Sequence, residues 1–260
     1  MIIKRLAENI KKQDWFVVII EIMIVVIGIF IGLQVDDWNE ARLDDAKSQL
    51  FTERLIVDLR EEAYVIAYVL AYNEDVLQNA EAALRVLTNK TEMSNEEFLI
   101  SMFRASQYTW WAKTQTTLEE LTSTGQLDLI KSTQLRSIAL AVYHVPLLPI
   151  IESSGRESPY REMFRSLIPM DVLRSLKKHC GDFNIQLGDY EILDKVLSYE
   201  CKLELPQSTI ELAATALKAD PKLVSRLRLR VATLDSQVTE LGRDSDFAAL
   251  SDYLKSQSEP

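Results

Sequence analysis

The chain has 260 residues, with 29 Lys and Arg against 39 Asp and Glu and a net charge of −10, a balance that repels a phosphate backbone and argues against nucleic acid as a partner. Only seven glycines and seven prolines occur, with no proline before Pro146, so a turn-rich β architecture lacks turn formers and helix is the expected class. Cys180, Cys201, His144 and His179 are the only thiols and imidazoles; they fit no zinc-ligand spacing, and no metal or other cofactor is expected.

Residues 1–14 carry Lys4, Arg5, Lys11 and Lys12 against Glu8 and Asp14, a basic tip before an acidic body. The 21 residues from Trp15 to Val35 follow, of which only Glu21 is ionisable and fifteen are Phe, Val, Ile or Leu. That is the length a helix needs to cross about 30 Å of hydrocarbon. At about −0.3 to −0.6 kcal/mol each, the apolar residues outweigh the roughly +3 kcal/mol of one central carboxylate. Trp15 and Trp38 stand 23 positions apart, about 35 Å of helix, which puts both indoles at headgroup level as interface anchors. A cleaved signal peptide would have a shorter apolar run ending in small residues, whereas this one ends in "LQVDDWNE". Four Lys or Arg precede the span and only Arg42 and Lys47 closely follow it, so the positive-inside rule keeps residues 1–14 in the cytoplasm and residues 36–260 outside.

On a helical wheel Asp14, Glu21, Val25, Gly28, Gly32, Asp36 and Asn39 fall within about 80° of one another. Gly28 and Gly32 have the GxxxG spacing that lets helix backbones approach closely in lipid. Glu21 sits about one turn from the middle of the span, where a carboxylate must be protonated, hydrogen-bonded to a neighbouring helix or placed in a wet cavity. Three readings compete for it: an interhelical hydrogen bond within a homo-oligomer aligned by the glycine seam, a proton-carrying carboxyl in an ion-coupled complex, or a simple anchor whose glutamate reaches toward the nearer interface.

From Leu33 to Thr124 there are 92 residues without Gly or Pro, so the span is predicted to continue outward as one long helix. Leu59, Ala63, Ile66, Leu70, Asn73, Leu77, Ala80, Leu84 and Leu87 make a heptad seam facing other helices. Tyr64, Tyr68 and Tyr72 form a four-residue ladder, read as buried aromatic packing rather than a ligand groove. "TNKTEMSNEE" predicts a turn near 89–94, with Ser94 and Glu97 spaced as a capping box. One helix is predicted to end at Gly125 and another to run over about 133–143.

Residues 146–207 are predicted to be the most irregular part, being rich in Gly and Pro. Beyond them Ser208 with Glu211 is predicted as a capping box, and Asp220 followed by Pro221 as a helix start. Val224, Leu227, Val231, Leu234, Val238 and Leu241 give a clean heptad facing the core. Lys222, Arg226 and Arg230 form a basic strip on that helix, read as a solvated face rather than an anion site. In an oxidising compartment Cys180 and Cys201 would close a loop of about twenty residues; two separate buried thiols are the alternative.

Two stretches carry a family resemblance. "EIMIVVIGIFIGLQVDDWNEAR" and "TTLEELTSTGQLDLIKSTQLRSIAL" resemble the signature segments of an uncharacterised family of bacterial single-span membrane proteins. Its members have a glutamate-led apolar span ending in Leu-Gln and then Trp-Asn-Glu. The family usually shows Ala where this chain has Gly32, and Asn where it has Asp37. The resemblance implies an inner-membrane location and a mainly helical body, and it supplies no catalytic residues.

No GxSxG elbow, P-loop, HExxH or di-iron ExxH pattern occurs, so no enzymatic activity is expected. The expected whole is all-α: a cytoplasmic tail over 1–14, a transmembrane helix over 15–35, and an extracytoplasmic helical bundle over 36–260. The expected role is a non-enzymatic interaction or scaffold protein of the bacterial envelope. Its expected partners are the lipid bilayer, further copies of itself and another envelope protein; the alternative role is an accessory or stator-like subunit that uses Glu21.

Overall fold

The structure is a computed structural model that describes residues 15–111, 115–182 and 196–257, with the side chains of 15–18 and 21 outside that description. The basic tail over 1–14 and the indole of Trp15 therefore lie outside the described residues. Every regular element described is helical.

The organising element is α1, Trp15–Leu87, a single helix of 73 residues, about 110 Å long at 1.5 Å per residue. Its length follows from the absence of helix breakers after Gly32. It stops where Asn89 takes a left-handed φ of 55°, the conformation in which Asn commonly terminates a helix, and Lys90 N–H donates back to the Arg85 carbonyl at 2.9 Å. Five residues later α2, Asn95–Ala105, starts on a complete capping box. Glu97 N–H donates to Ser94 Oγ at 3.2 Å and Ser94 N–H to Glu97 Oε2 at 3.1 Å.

The remaining helices pack around the far half of α1 in two apolar clusters. The near cluster gathers Phe51, Leu55, Leu59, Ile66 and Val69 of α1 with α3 (Thr116–Ser123), a 3₁₀ turn (Leu127–Leu129), α4 (Thr133–His144) and α5 (Leu147–Arg156). The far cluster gathers Tyr72, Val76, Ala80 and Ala83 with α2, α6 (Pro159–Leu167), α7 (Met170–Cys180) and α8 (Gln207–Lys218). α9, Pro221–Gly242, runs back along α1 and joins the two, since Leu223, Leu227 and Leu234 enter the far cluster while Leu241 enters the near one. α10, Ser245–Ser256, closes the near cluster with Phe247 and Leu250.

Several expectations need correction. The stretch expected to be irregular contains α5, α6 and α7, because Pro159 takes the first position of α6 and Pro169 the N-cap of α7, places where proline starts a helix instead of breaking it. Residues 183–195 lie outside the described residues. The Ser208 and Glu211 box does not form: Pro206 is the N-cap of α8 and Glu211 accepts from Gln207. The Asp220 start does form, its carboxylate accepting from Lys222 and Leu223 N–H. On α1 the residues fully enclosed include Leu55, Val69, Tyr72, Val76 and Ala83 beside the expected seam, because helices cover α1 from more than one side. Tyr64 and Tyr72 are buried, as core packing requires.

The helix over 22–87 is long and apolar enough to cross a membrane, and its apolar window is wholly exposed. The stretch Thr133–Leu167 has a comparable apolar content, but it is divided into α4, α5 and α6 and partly enclosed by the body.

Candidate functional site: a free-standing helix and an arginine node

Every described side chain from Ile19 to Lys47 is exposed, and the first of the described side chains of α1 to be buried is Ser48. Nearly the first half of α1 therefore stands clear of the body. Gly28 and Gly32 lie on it with open space around them, a Cβ at either meeting nothing within 4 Å. Trp38 is fully outside the body, at 69% exposure. The expected side-chain roles of Trp15 and Glu21 lie outside the described residues.

At the foot of the body the second of the two resembling stretches folds against α1. Gly125, at φ 68°, supplies the left-handed turn after α3 that a Cβ would strain. The chain then reverses so that Ser48 Oγ donates to the Leu129 carbonyl at 2.6 Å and Lys131 pairs with Asp45. Arg54 pairs with Glu120 at 2.7 Å. One turn farther along α1, buried Asp58 accepts from Thr117 N–H at 3.0 Å, a carboxylate set at the N-terminus of α3 where free N–H groups point at it. A cleft of about 410 Å³ opens here between Asp44, Lys47, Gln126 and Lys131. Its mixed charges mark a solvated foot rather than a selective pocket.

A second polar assembly lies inside the far half of the body, at the C-terminal end of α2. The last carbonyls of a helix have no intrahelical donor and form its negative pole. Here two guanidiniums serve them. Arg161 Nη1 donates to the Ser106 carbonyl at 2.6 Å; Arg230 donates through Nη2 to Gln107 at 3.0 Å and through Nε to Ala105 at 3.4 Å. Arg161 also stacks over Tyr108, 4.7 Å from the ring centre, a favourable cation–π geometry. Close packing admits no extra atom, since a Cβ on Gly155 would come within 2.7 Å of Tyr108 Cβ.

Around these arginines Tyr160 donates to the Met102 carbonyl at 2.8 Å and Tyr72 to Asp182 Oδ1 at 2.9 Å. Burial pushes both phenols well above their usual pKa and raises the Asp182 carboxyl, against the opposing pull of the Tyr72 hydrogen bond and of Arg161. Burial lowers Arg161, and lowers Arg230 to about 10. The tyrosines thus stay protonated donors and the arginines stay charged at neutral pH, which fixes protons in place rather than moving them.

Arg230 was expected on a solvated strip. It is instead 3% exposed. The buried face of α9 carries Leu223, Leu227, Arg230, Leu234, Gln237 and Leu241, one position off the expected heptad at Val224, Val231 and Val238, which are half-buried. Arg226 does reach the surface, beside a cavity of about 220 Å³ with Ser154, Glu157 and Thr233.

Cys180, at the end of α7, and Cys201, ahead of α8, are joined by a disulfide. Arg104 Nη2 lies 3.6 Å from Cys201 Sγ, donates to the Tyr199 carbonyl at 2.7 Å and stacks over the Tyr199 ring at 4.9 Å. The bridge is thereby tied to α2. Among the described residues no group of three or more His, Cys, Asp or Glu is placed to hold a metal ion.

A comparison with protein families matches residues 21–151 to a family of unknown function, and a comparison with curated proteins and with solved structures finds no match. The matched part holds the free-standing helix, the foot of the body and Arg104, and it leaves Arg161, Arg230 and both cysteines outside. Because the match begins at Glu21, contains both resembling stretches and spans just over half of the chain, this protein belongs to that family of unknown function (DUF6090).

Proposed function

We propose that this chain is a membrane-anchored, non-enzymatic interaction protein of the bacterial envelope. Residues 15–35 cross the inner membrane, residues 1–14 lie in the cytoplasm, and the helical body is displayed outside as an oligomer that engages another envelope protein. The observation that carries this is the exposure of every described side chain of α1 from Ile19 to Lys47. Ile22, Ile24, Val25, Ile27, Ile29, Phe30, Ile31 and Leu33 are each more than half exposed on that stretch. Left in water, each such side chain forgoes about 2 kcal/mol of burial; in lipid none does. The Cys180–Cys201 bond supports an outward body, since such bonds persist in oxidising compartments, and the excess of Lys and Arg ahead of the span supports the same orientation.

Oligomerisation rests on Gly28 and Gly32, whose open surroundings leave room for a second backbone. Replacing both by Ile is expected to shift the detergent-solubilised full chain from oligomer to monomer mass in light scattering. An unchanged mass would contradict the seam. The second reading, a subunit of an ion-coupled complex, is favoured by the place of Glu21 on the same stripe as the glycines. Glu21→Gln keeps size and hydrogen bonding but carries no titratable proton, so the interaction reading expects no loss of proton-linked transport in membrane vesicles. Loss of that transport with assembly intact would favour the second reading.

A further inference from the structure

The glycine seam does not end at the membrane surface. At 100° per residue, Glu21, Val25, Gly28, Gly32, Asn39, Leu43, Ala46, Leu50 and Val57 fall within about 60° of one another on α1. From Asn39 outward the steps are four, three and four residues, with Glu53 at the next three-residue step before Val57, the spacing of a helix that packs lengthwise on another. Leu43, Leu50 and Val57 are 50%, 54% and 51% exposed. Three large aliphatic side chains in one line on the water-facing part of a helix are uncovered apolar surface of the kind that a partner hides.

The body does not reach this line. Ser48, Phe51, Leu55, Asp58 and Leu59, the residues buried at the same level, lie about 140° round the helix from it. Beyond Val57 the exposed positions of α1 change character to Arg60, Ala67, Glu74 and Glu81. The apolar stripe thus begins inside the span, passes the headgroup level and stops where the helix becomes polar on its free side.

We propose that a second copy of this chain covers the stripe, so that two α1 helices run side by side and in parallel from the glycine seam to Val57. The inference rests on the membrane anchor argued above. Whatever covers one continuous stripe in lipid and in water must itself be a helix that crosses the bilayer and continues outward by the same length. A second copy does so, and the shared topology makes the pair parallel and in register. The stripe from Val25 to Val57 is about 50 Å long and a helix about 10 Å wide, which gives about 500 Å² per chain and about 1,000 Å² for the pair, at the lower limit of a specific interface. Leu43, Leu50 and Val57 then meet their own counterparts across the two-fold axis. Asn39 becomes a polar seam residue of the kind that sets register. Within each chain Arg42 donates to Asn39 and Lys47 pairs with Asp44; exposed Glu53 lies at the edge of the stripe, where solvent screens it from its counterpart.

Single cysteines at Leu43, Leu50, Val57 and, on the opposite side of the helix, Ala41 test the pairing in the full-length chain. Isolated membranes are treated with a short bis-maleimide; the native thiols are already bridged. Leu43→Cys, Leu50→Cys and Val57→Cys are expected to run at twice the 29.7 kDa of one chain, and Ala41→Cys at the monomer mass. Monomer at all three stripe positions in chain that sediments with the membranes overturns the pairing and leaves the anchor standing. Equal dimer at Ala41 also overturns it, since contact would then be unrelated to the stripe. Chain recovered in the soluble fraction overturns the anchor and the pairing together.

Discussion

Arg230→Ala is expected to be strongly destabilising to the body, costing about 2–4 kcal/mol, because it leaves two buried carbonyls without a donor. The side chain is enclosed, and it serves the carbonyl of Ala105, the last residue of α2, and that of Gln107 just beyond it. Among the described residues no carboxylate lies within ion-pair reach of it, so the compensation for burying its charge comes from carbonyl dipoles. Truncation leaves those carbonyls without a donor and opens a cavity where α2, α6 and α9 meet. Arg230→Lys is expected to recover little, because one ammonium cannot reproduce the fork that reaches two carbonyls. The check is the urea midpoint of the detergent-solubilised full chain followed by far-ultraviolet circular dichroism. A loss under about 1 kcal/mol would mean that the node is not a structural clamp.

The same substitution carries a pH signature. Burial lowers the Arg230 pKa in the folded state to about 10, below its unfolded value. Both states therefore hold the proton below about pH 9, and stability changes through this group only above pH 10, rising there because the unfolded chain binds more protons. The difference between wild type and Arg230→Ala is accordingly expected to be flat from pH 6 to 9.

Removing the Cys180–Cys201 bond is the second large effect. The pair closes a loop across a sequence separation of 21, for which chain entropy gives about 3 kcal/mol. The loss should be partial rather than complete. Val196, Leu197 and Leu203 are buried in the far cluster, Leu197 N–H donates to Asp75 at 3.0 Å and Leu203 N–H to Glu96 at 2.6 Å, and these contacts survive reduction. The Cys180→Ser, Cys201→Ser double variant is expected to show the lower urea midpoint with or without a dithiol reductant, while wild type reaches it only with the reductant. Equal midpoints for oxidised wild type and the double variant would show that the bond adds no stability.

What was legible in the sequence was mostly punctuation. The absence of Gly and Pro after Gly32 marked α1 as one continuous helix, the polar stretch "TNKTEMSNEE" marked its end, and the Ser94–Glu97 and Asp220–Pro221 pairs marked two helix starts. Punctuation misled where residue type was separated from position. Pro159 and Pro169 suggested irregular chain, yet each opens a helix. The Ser208–Glu211 spacing suggested a cap, but Pro206 sets the start of α8 two residues earlier.

The candidate sites were less legible, for physical reasons. A heptad fixes a helix face only to within about one residue, and on α9 the regular Val and Leu pattern concealed that Arg230 and Gln237 face inward. Nothing in the sequence placed the carbonyls of Gln107 and Ala105 opposite Arg230, since those partners lie more than 120 residues away. The glycine stripe was legible, whereas its continuation through Leu43, Leu50 and Val57 was not. A seam search along α1 settles on Leu59 and beyond, where the body packs, and only the exposure of the other side separates the two faces.

The anchor is the claim on which topology, assembly and the oxidising surroundings of the bridge all rest, and a direct measurement decides it. Cells expressing the full-length chain are broken without detergent, and the membranes are washed with alkaline carbonate, which strips peripheral proteins and leaves spanning helices in place. The chain is expected to stay with the pelleted membranes and to be released only by detergent. Intact chain recovered in the carbonate supernatant would contradict the account.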